Sequence, residues 1–298
     1  MRRDIIVMSE HYNAAEIMRA YGIRPAKSLG QNFLNSPEVV ENIVDVAELT
    51  EADAVIEIGP GLGVMTRRLA ERAGLVVAVE IDRSLMPVLK ALEAEFDNLV
   101  VINGDILRIN VGTELIESII RARGFDTVKV VANLPYYITT PIIMELLENY
   151  AADIKKMVFM VQKEVAERMV AGPGGKDYGA MSVTVGYFAE GDIAFTVPPH
   201  CFTPRPGVDS AVVSLDMREK PPFELADKEF FFKIIKASFL QRRKMLVNGL
   251  ANAAFLSVDK ETAARTLEEM GKAATIRGET LSPEEFAELS NRLYNTIK

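Results

Sequence analysis

The stretch Ile56-Glu57-Ile58-Gly59-Pro60-Gly61-Leu62-Gly63 constrains this chain more than any other. It follows a strand-like run, Ala54 to Ile58, and opens a helix-like run, Val64 to Arg72. Three glycines in five positions let the backbone turn sharply and approach a ligand closely. The helix after them aims its free N–H groups at the same place. Glu80 lies at the end of a second apolar run, Leu75 to Val79. An acid there can accept hydrogen bonds from both hydroxyls of a ribose. Strand, glycine turn, helix, strand and acid together predict a nucleoside-cofactor site in an open α/β sheet.

Spacing and charge separate the candidate cofactors. The dinucleotide pattern is G-x-G-x-x-G, whereas this chain has Gly-x-Gly-x-Gly. Glu57 would repel a pyrophosphate beside the loop but suits a cation. S-adenosylmethionine carries a sulfonium and an ammonium and no phosphate, so it fits better than NAD. A third strand-like run, Leu99 to Ile102, ends in Asn103-Gly104-Asp105. An acid there can bond the amine of an adenine ring. A glycine-rich turn by itself is compatible with a tight turn and nothing more; Glu80 and Asp105 at the next two strand ends make it a site.

A fourth apolar run, Val128 to Ala132, ends in Asn133-Leu134-Pro135-Tyr136. That places the motif at the carboxyl edge of the sheet, where ligands bind in open α/β folds. An Asn side-chain oxygen and a backbone carbonyl can both accept from an exocyclic amine, drawing its lone pair out of conjugation. Pro135 fixes the backbone, and Tyr136 offers a ring on which a base can stack. The alternative is a strand end that merely enters a turn.

With these residues in view, the chain resembles the ribosomal RNA adenine dimethyltransferase family, most closely its bacterial small-subunit members. The resemblance is carried by Lys27-Ser28-Leu29-Gly30-Gln31-Asn32-Phe33-Leu34, Glu57 to Gly63, Glu80-Ile81-Asp82, Gly104-Asp105 and Asn133-Leu134-Pro135-Tyr136-Tyr137. It continues through Phe202 to Val212 and Phe239-Leu240-Gln241-Arg242-Arg243-Lys244, and spans roughly residues 21–298. The resemblance implies a Rossmann-like class I S-adenosylmethionine-dependent methyltransferase fold, α/β, with a seven-stranded sheet whose last-added strand is antiparallel. It also implies a catalytic domain over 1–218, with an N-terminal helical extension over 1–50, and a small all-α domain over 219–298.

Roles follow from the resemblance residue by residue. Gln31, Asn32 and Leu34 should close over the methionine end and ribose of the cofactor. Gly59 and Gly61 bring backbone against it, Glu80 holds the ribose diol, and Ile81 packs on the adenine. Asp105 bonds the adenine amine, with Ile106 beside it. Asn133 and the Leu134 carbonyl orient the acceptor amine, Pro135 holds that carbonyl in place, and Tyr136 stacks on the acceptor base. Phe202 is a candidate for the opposite face of that base, or else a core aromatic. Arg242, Arg243 and Lys244 are the candidate RNA contacts. The implied reaction is dimethylation of two adjacent adenosines in a hairpin near the 3' end of small-subunit (16S) ribosomal RNA, during assembly of the 30S subunit.

Bulk properties fit with one tension. A chain of 298 residues, 49% apolar, can bury a sheet covered on both faces. No apolar run approaches the about eighteen residues that span a membrane. Arg2 and Arg3 are followed by only Ile5 to Met8, too short for a secretory core; a cytoplasmic monomer is expected. A single cysteine, Cys201, excludes an internal disulfide, and no metal constellation is visible. His11 and His200 read as surface or satisfied residues. The net charge of −8 opposes RNA binding, for which a basic domain is expected. Yet residues 220–249 hold seven basic side chains against three acidic ones, and a local basic face suffices to contact phosphates. The same run could be a solvated helix face.

Further punctuation is visible. Ser36-Pro37 reads as a helix N-cap with proline in the first turn, with Val39, Val40, Ile43, Val44 and Ala47 as its core face. Thr140-Pro141 reads as a cap for a helix through Glu148. Strand-like runs at 128–132, 156–161, 193–197 and 211–216 continue the alternation. Gly172-Pro173-Gly174-Gly175 is a surface connection or a lid. Beyond about Pro221 strand patterns vanish, and Ser282-Pro283-Glu284-Glu285 is a capping box for the last helix.

Three other readings compete. The first is a large-subunit adenosine methyltransferase of the antibiotic-resistance type, although the Phe-Leu-Gln-Arg-Arg-Lys run favours the small-subunit type. The second is a DNA adenine methyltransferase, which uses a similar Asn-Pro-Pro-Tyr run with an inserted recognition domain that is not visible here. The third is a ribosome-assembly factor acting mainly by binding.

Overall fold

The structure, a computed structural model, describes residues 14–298. Arg2, Arg3, Ile5 to Met8 and His11 lie outside the described residues. Seven strands form one sheet: β1 (Asp53–Ile58), β2 (Leu75–Glu80), β3 (Leu99–Asn103), β4 (Thr127–Asn133), β5 (Ile154–Gln162), β6 (Ala189–Val197) and β7 (Ser210–Met217). Their order is β3-β2-β1-β4-β5-β7-β6. β1 pairs in parallel with β2 and β4, β2 with β3, and β4 with β5. β7 runs antiparallel to β5, with Met160 opposite Val212.

The central strands are legible because they are buried on both faces and so are almost continuously apolar. All six residues of β1 and of β2 are buried. β6 begins at Ala189, four residues before the apolar run that betrays it, because Glu190, Gly191 and Asp192 are exposed on a strand at the end of the sheet. The chain runs outward from β1 to β3 and then returns to lay β4 on the other side of β1. That reversal opens a crevice at the carboxyl ends of β1 and β4, where ligands of open α/β sheets bind.

Two lysines in this sheet, Lys129 and Lys156, are buried yet paired. Lys129 enters β4 at its amino end, and its Nζ donates to the carbonyls of Ala47 (3.2 Å) and Glu48 (2.6 Å) and to Asp53 Oδ2 (3.1 Å). Those partners satisfy its three donors.

The helix Pro37–Val46 starts where its sequence says, with Pro37 at the first position, but the Ser36 side chain makes no capping bond. Val40, Ile43, Val44 and Ala47 are buried, and Val39 packs partly against the same core. Thr140 does not cap. The helix spans Thr139–Tyr150, and Ile138 stands at the N-cap. The local tie is instead Thr139 Oγ1, which donates to the Pro135 carbonyl at 3.0 Å.

The chain divides into two compact units: the described residues through Lys163 with Asp192–Met217, and Glu164–Gly191 with Arg218–Lys298. The second unit therefore takes in a stretch that lies before the 218/219 division expected from chain order. Its helix Ala180–Phe188 is apolar almost all round, and Tyr187 and Phe188 join Phe223, Phe231 and Phe232 in one ring cluster. Phe188 and Phe232 stack at 5.5 Å with 6° between planes, and Phe231 is fully buried. The helix Lys228–Leu240 is capped by Asp227, and Pro283–Ile297 opens on the expected capping box, with Ser282 and Glu285 bonded reciprocally.

Candidate active site

Four strand ends converge on one cavity of about 270 Å³ in the first unit. β1 supplies Glu57 and leads into Gly59 and Gly61, β2 ends in Glu80, β3 leads to Asp105, and β4 ends in Asn133. Gln31, Asn32, Leu34, Ile81, Ile106, Leu134, Pro135, Tyr136 and Tyr137 complete the walls used below. Gly59, Gly61 and Gly63 all have positive φ, at 69°, 59° and 79°. Gly63 is constrained twice over, since a Cβ there would lie 2.8 Å from Leu92 Cδ2.

Glu80 is held by the loop it serves. Its Oε2 accepts from Gly61 N (3.1 Å) and its Oε1 from Asp82 N (2.8 Å). One lone pair of each oxygen is thus used, and the other remains for a hydroxyl pair. Burial raises its carboxyl above the ordinary range, and the two backbone donors oppose that. Ile81 beside it is 49% exposed, an apolar surface open to a planar ring. Asp105 Oδ1 accepts from Leu107 N at 3.1 Å, and Ile106 is buried.

Glu57 is the sharpest electrostatic feature. It is fully buried, lines the cavity, and among the described residues neither carboxyl oxygen has a partner in good hydrogen-bond geometry, the nearby Thr66 hydroxyl included. Burial pushes it up to about 8, with the Thr66 hydroxyl opposing and the Glu80 charge adding. A carboxyl so placed is costly unless a positive charge comes to it. That fits a cofactor bearing a sulfonium and an ammonium, and not a pyrophosphate.

The acceptor side is braced from several directions. Asn133 Nδ2 donates to the Asn32 carbonyl (3.3 Å), which leaves Oδ1 to accept. Leu134 N is bonded to the Met160 carbonyl (3.1 Å), and the Pro135 carbonyl takes Ile138 N at 3.1 Å as well as Thr139. Tyr136 Oη and Ser210 Oγ share a hydrogen bond of 2.8 Å. Burial raises the Tyr136 phenol, so the ring is neutral. Gln31 is committed: its Oε1 accepts from Ala26 N and its Nε2 donates to Asp82, both at 2.7 Å. It fastens the segment 26–34 beside the cavity.

Phe202 is not brought to this site. It is 2% exposed, pairs with Leu34 in a two-residue antiparallel ladder, lies in the hydrophobic core, and does not line the cavity. The core-aromatic alternative describes its place, because the ladder turns its ring into the apolar cluster. Glu57, expected from its charge to suit a cation beside the loop, lines the cavity, and so does Tyr137, which carried no role in the sequence; its adjacency to Asn133-Leu134-Pro135-Tyr136 was the available signal.

Arg242, Arg243 and Lys244 form the turn after Lys228–Leu240, in the second unit. Arg242 is largely spoken for, donating to the carbonyls of Lys176 (2.6 Å) and Tyr178 (2.9 Å). With Gly174 N on the Glu279 carbonyl (2.8 Å), it ties down the glycine-rich loop. Arg243 and Lys244 are exposed. Among the described residues, no group of three or more His, Cys, Asp or Glu is placed to hold a metal, and no helix is long and apolar enough to cross a membrane.

Comparison with known proteins agrees with this geometry. The family model described as ribosomal RNA adenine dimethylase matches residues 23–293. A protein of Lachnoclostridium phytofermentans named ribosomal RNA small subunit methyltransferase A is 47% identical over 284 residues, covering 95% of this chain and 96% of that one. A protein of the same name from Bacillus cytotoxicus is 48% identical over 279 residues, covering 93% and 94%. Among solved structures, a dimethyladenosine transferase from Plasmodium falciparum superposes with a TM-score of 0.67 at 26% identity, covering 86% of this chain and 95% of that one. The 23S rRNA methyltransferase ErmE gives 0.65 at 26%, covering 88% and 100%. The chain belongs to the ribosomal RNA adenine dimethylase family, and is an enzyme that uses S-adenosylmethionine to dimethylate adenine in small-subunit ribosomal RNA.

Proposed function

We propose that this protein acts as a cytoplasmic monomer on immature 30S subunits, methylating two adjacent adenosines in a hairpin near the 3' end of the small-subunit RNA. The observation that carries the acceptor chemistry is Asn133, which lines the cavity and whose Nδ2 is engaged by the Asn32 carbonyl, leaving its Oδ1 to accept.

Glu80 holds the ribose diol, Asp105 the adenine amine, Ile81 and Ile106 the adenine faces, and Gly59 and Gly61 the close backbone approach. Asn32, Leu34 and the Gln31-fastened segment cover the methionine end. Bound there, S-adenosylmethionine supplies an electrophilic methyl group. Asn133 Oδ1 and the Leu134 carbonyl accept from the adenine amine, pull its lone pair out of the ring, and aim it into the cavity. Tyr136, pinned at its hydroxyl by Ser210, presents a neutral ring to the base. The alkylated amine sheds its extra proton to water, so no general base is required. Catalysis is mostly positioning, which contributes roughly 7–11 kcal/mol in well-oriented reactions. Arg243 and Lys244 contact phosphates, and Arg242 holds the loop beside them.

Incubating the protein with labelled S-adenosylmethionine and, in parallel, unmethylated small and large ribosomal subunits, then mapping the labelled nucleotides, tests this reading. Label confined to two neighbouring adenosines supports it. Label in large-subunit RNA, or none in RNA, sinks it.

A further inference from the structure

We propose that the Tyr137 ring is a second nucleotide subsite: a stacking platform for the base next to the acceptor adenine. The inference rests on the function proposed above. Tyr137 lines the cavity yet is 56% exposed, the most exposed aromatic ring there. That exposure is not loose packing. One edge of the ring lies against Gly30, where even a Cβ would come within 3.2 Å of Tyr137 Cδ1. Gly30 has a φ of 58° and closes the short turn Lys27–Leu29 through its N–H to the Lys27 carbonyl. Backbone without a side chain therefore lies along one edge of the ring, and more than half of the residue is open to solvent.

Nothing else claims it. Every ring pair among the described residues lies in the second unit, so neither Tyr136 nor Tyr137 has an aromatic partner. The two also diverge. Tyr136 reaches Ser210 on β7, while Tyr137 lies on Gly30. The turn between them is braced by Ile138 N and Thr139 Oγ1 on the Pro135 carbonyl. Tyr137 is therefore placed for a different base from the one on Tyr136.

The chemistry of the substrate supplies that base. Extruding one adenine into the cavity strips its neighbour of a stacking partner. An exposed ring at the cavity mouth restores a stack worth about 1–3 kcal/mol. When both of two adjacent adenosines are substrates, each occupies this platform while the other is in the cavity. Tyr137 then governs how completely the pair is finished, more than whether methyl transfer happens.

The test uses the full protein on unmethylated small subunits, with mass spectrometry of each adenosine over time. Wild type, Tyr137→Ala and Tyr137→Phe are compared, with S-adenosylmethionine affinity by calorimetry as the check on folding. Tyr137→Ala should keep cofactor affinity and reduce the yield of the fully methylated pair at least about fivefold, the lower end of what one stacked base contributes. Tyr137→Phe should restore it. Wild-type product distributions in Tyr137→Ala, or failure of Phe to rescue, would overturn the proposal. If wild type itself does not modify an adjacent pair, the proposed function fails first, and the platform loses its second base with it.

Discussion

The two units are stabilised by different chemistry. The first is a sheet of aliphatic strands, with Val55, Ile56, Val76, Val77, Val130 and Val131 fully buried, and its ligand-facing groups stand at strand ends. The second is helical and is held by rings, with Phe231 in contact with Tyr187, Phe223 and Phe232 at 5.2–5.7 Å. Groups that must be placed within fractions of an ångström sit on a rigid sheet edge. The exposed cations proposed to meet phosphates, Arg243 and Lys244, sit on a turn between helices.

The largest expected effect probes whether the units can be uncoupled. Phe231→Ala removes a fully buried ring and should destabilise the protein by about 3–5 kcal/mol. If the division holds, calorimetry below the melting temperature should show S-adenosylmethionine affinity within twofold of wild type while subunit binding weakens. Equal losses in both would erase the distinction.

Next is Glu80→Ala, which should weaken cofactor binding by about 1.5–3 kcal/mol, the range for hydrogen bonds to a charged group, and leave subunit affinity intact. Unchanged cofactor affinity would remove Glu80 from the site.

Smaller per pH unit is the effect of the Glu57 carboxyl. The Glu57 carboxyl is raised from 4.5 to about 8, so between those values the folded state binds a proton that the unfolded state has released. Stability of the cofactor-free protein should therefore fall as pH rises from about 5 to 8, with this one group contributing at most about 1.4 kcal/mol per pH unit. Glu57→Gln should flatten that slope in chemical denaturation, and a slope unchanged by the substitution would place the titration elsewhere.

The smallest effect separates the basic turn into its parts. Removing Arg243 and Lys244 together should lower the log–log salt slope of subunit binding by about 2. Arg242→Ala should change it less, because its guanidinium is bonded to the Lys176 and Tyr178 carbonyls. Equal contributions from all three would mean that Arg242 leaves those carbonyls when RNA binds.

The same division explains what could be read from sequence. Buried parallel strands announce themselves as apolar runs, and β1 and β2 fall within one residue of the runs at 54–58 and 75–79. The site was legible because the glycine loop, Glu80, Asp105 and Asn133 stand at or just beyond the ends of four such runs. β6 was half hidden because Glu190 and Asp192 are exposed polar residues. The fate of Phe202 depended on a ladder with Leu34, far away in the chain, and no local pattern encodes that. The second unit recruits Glu164–Gly191 across an intervening strand pair, for the same reason invisible in a linear reading. The bond between Arg242 and residues 176–178 is likewise long-range, so a basic run alone could not show which cation was already engaged.

The central claim is that the sheet edge aligns the acceptor while affinity comes from phosphate contacts elsewhere. Single-turnover methylation of purified, unmethylated small subunits by Asn133→Ala, at saturating S-adenosylmethionine and with subunit affinity measured in parallel, tests it directly. The account predicts that most subunit affinity survives while the rate falls by a factor on the order of a hundred or more. A near-normal rate would show that another group orients the amine, and a matched loss of affinity would show that Asn133 holds the RNA instead of aligning it.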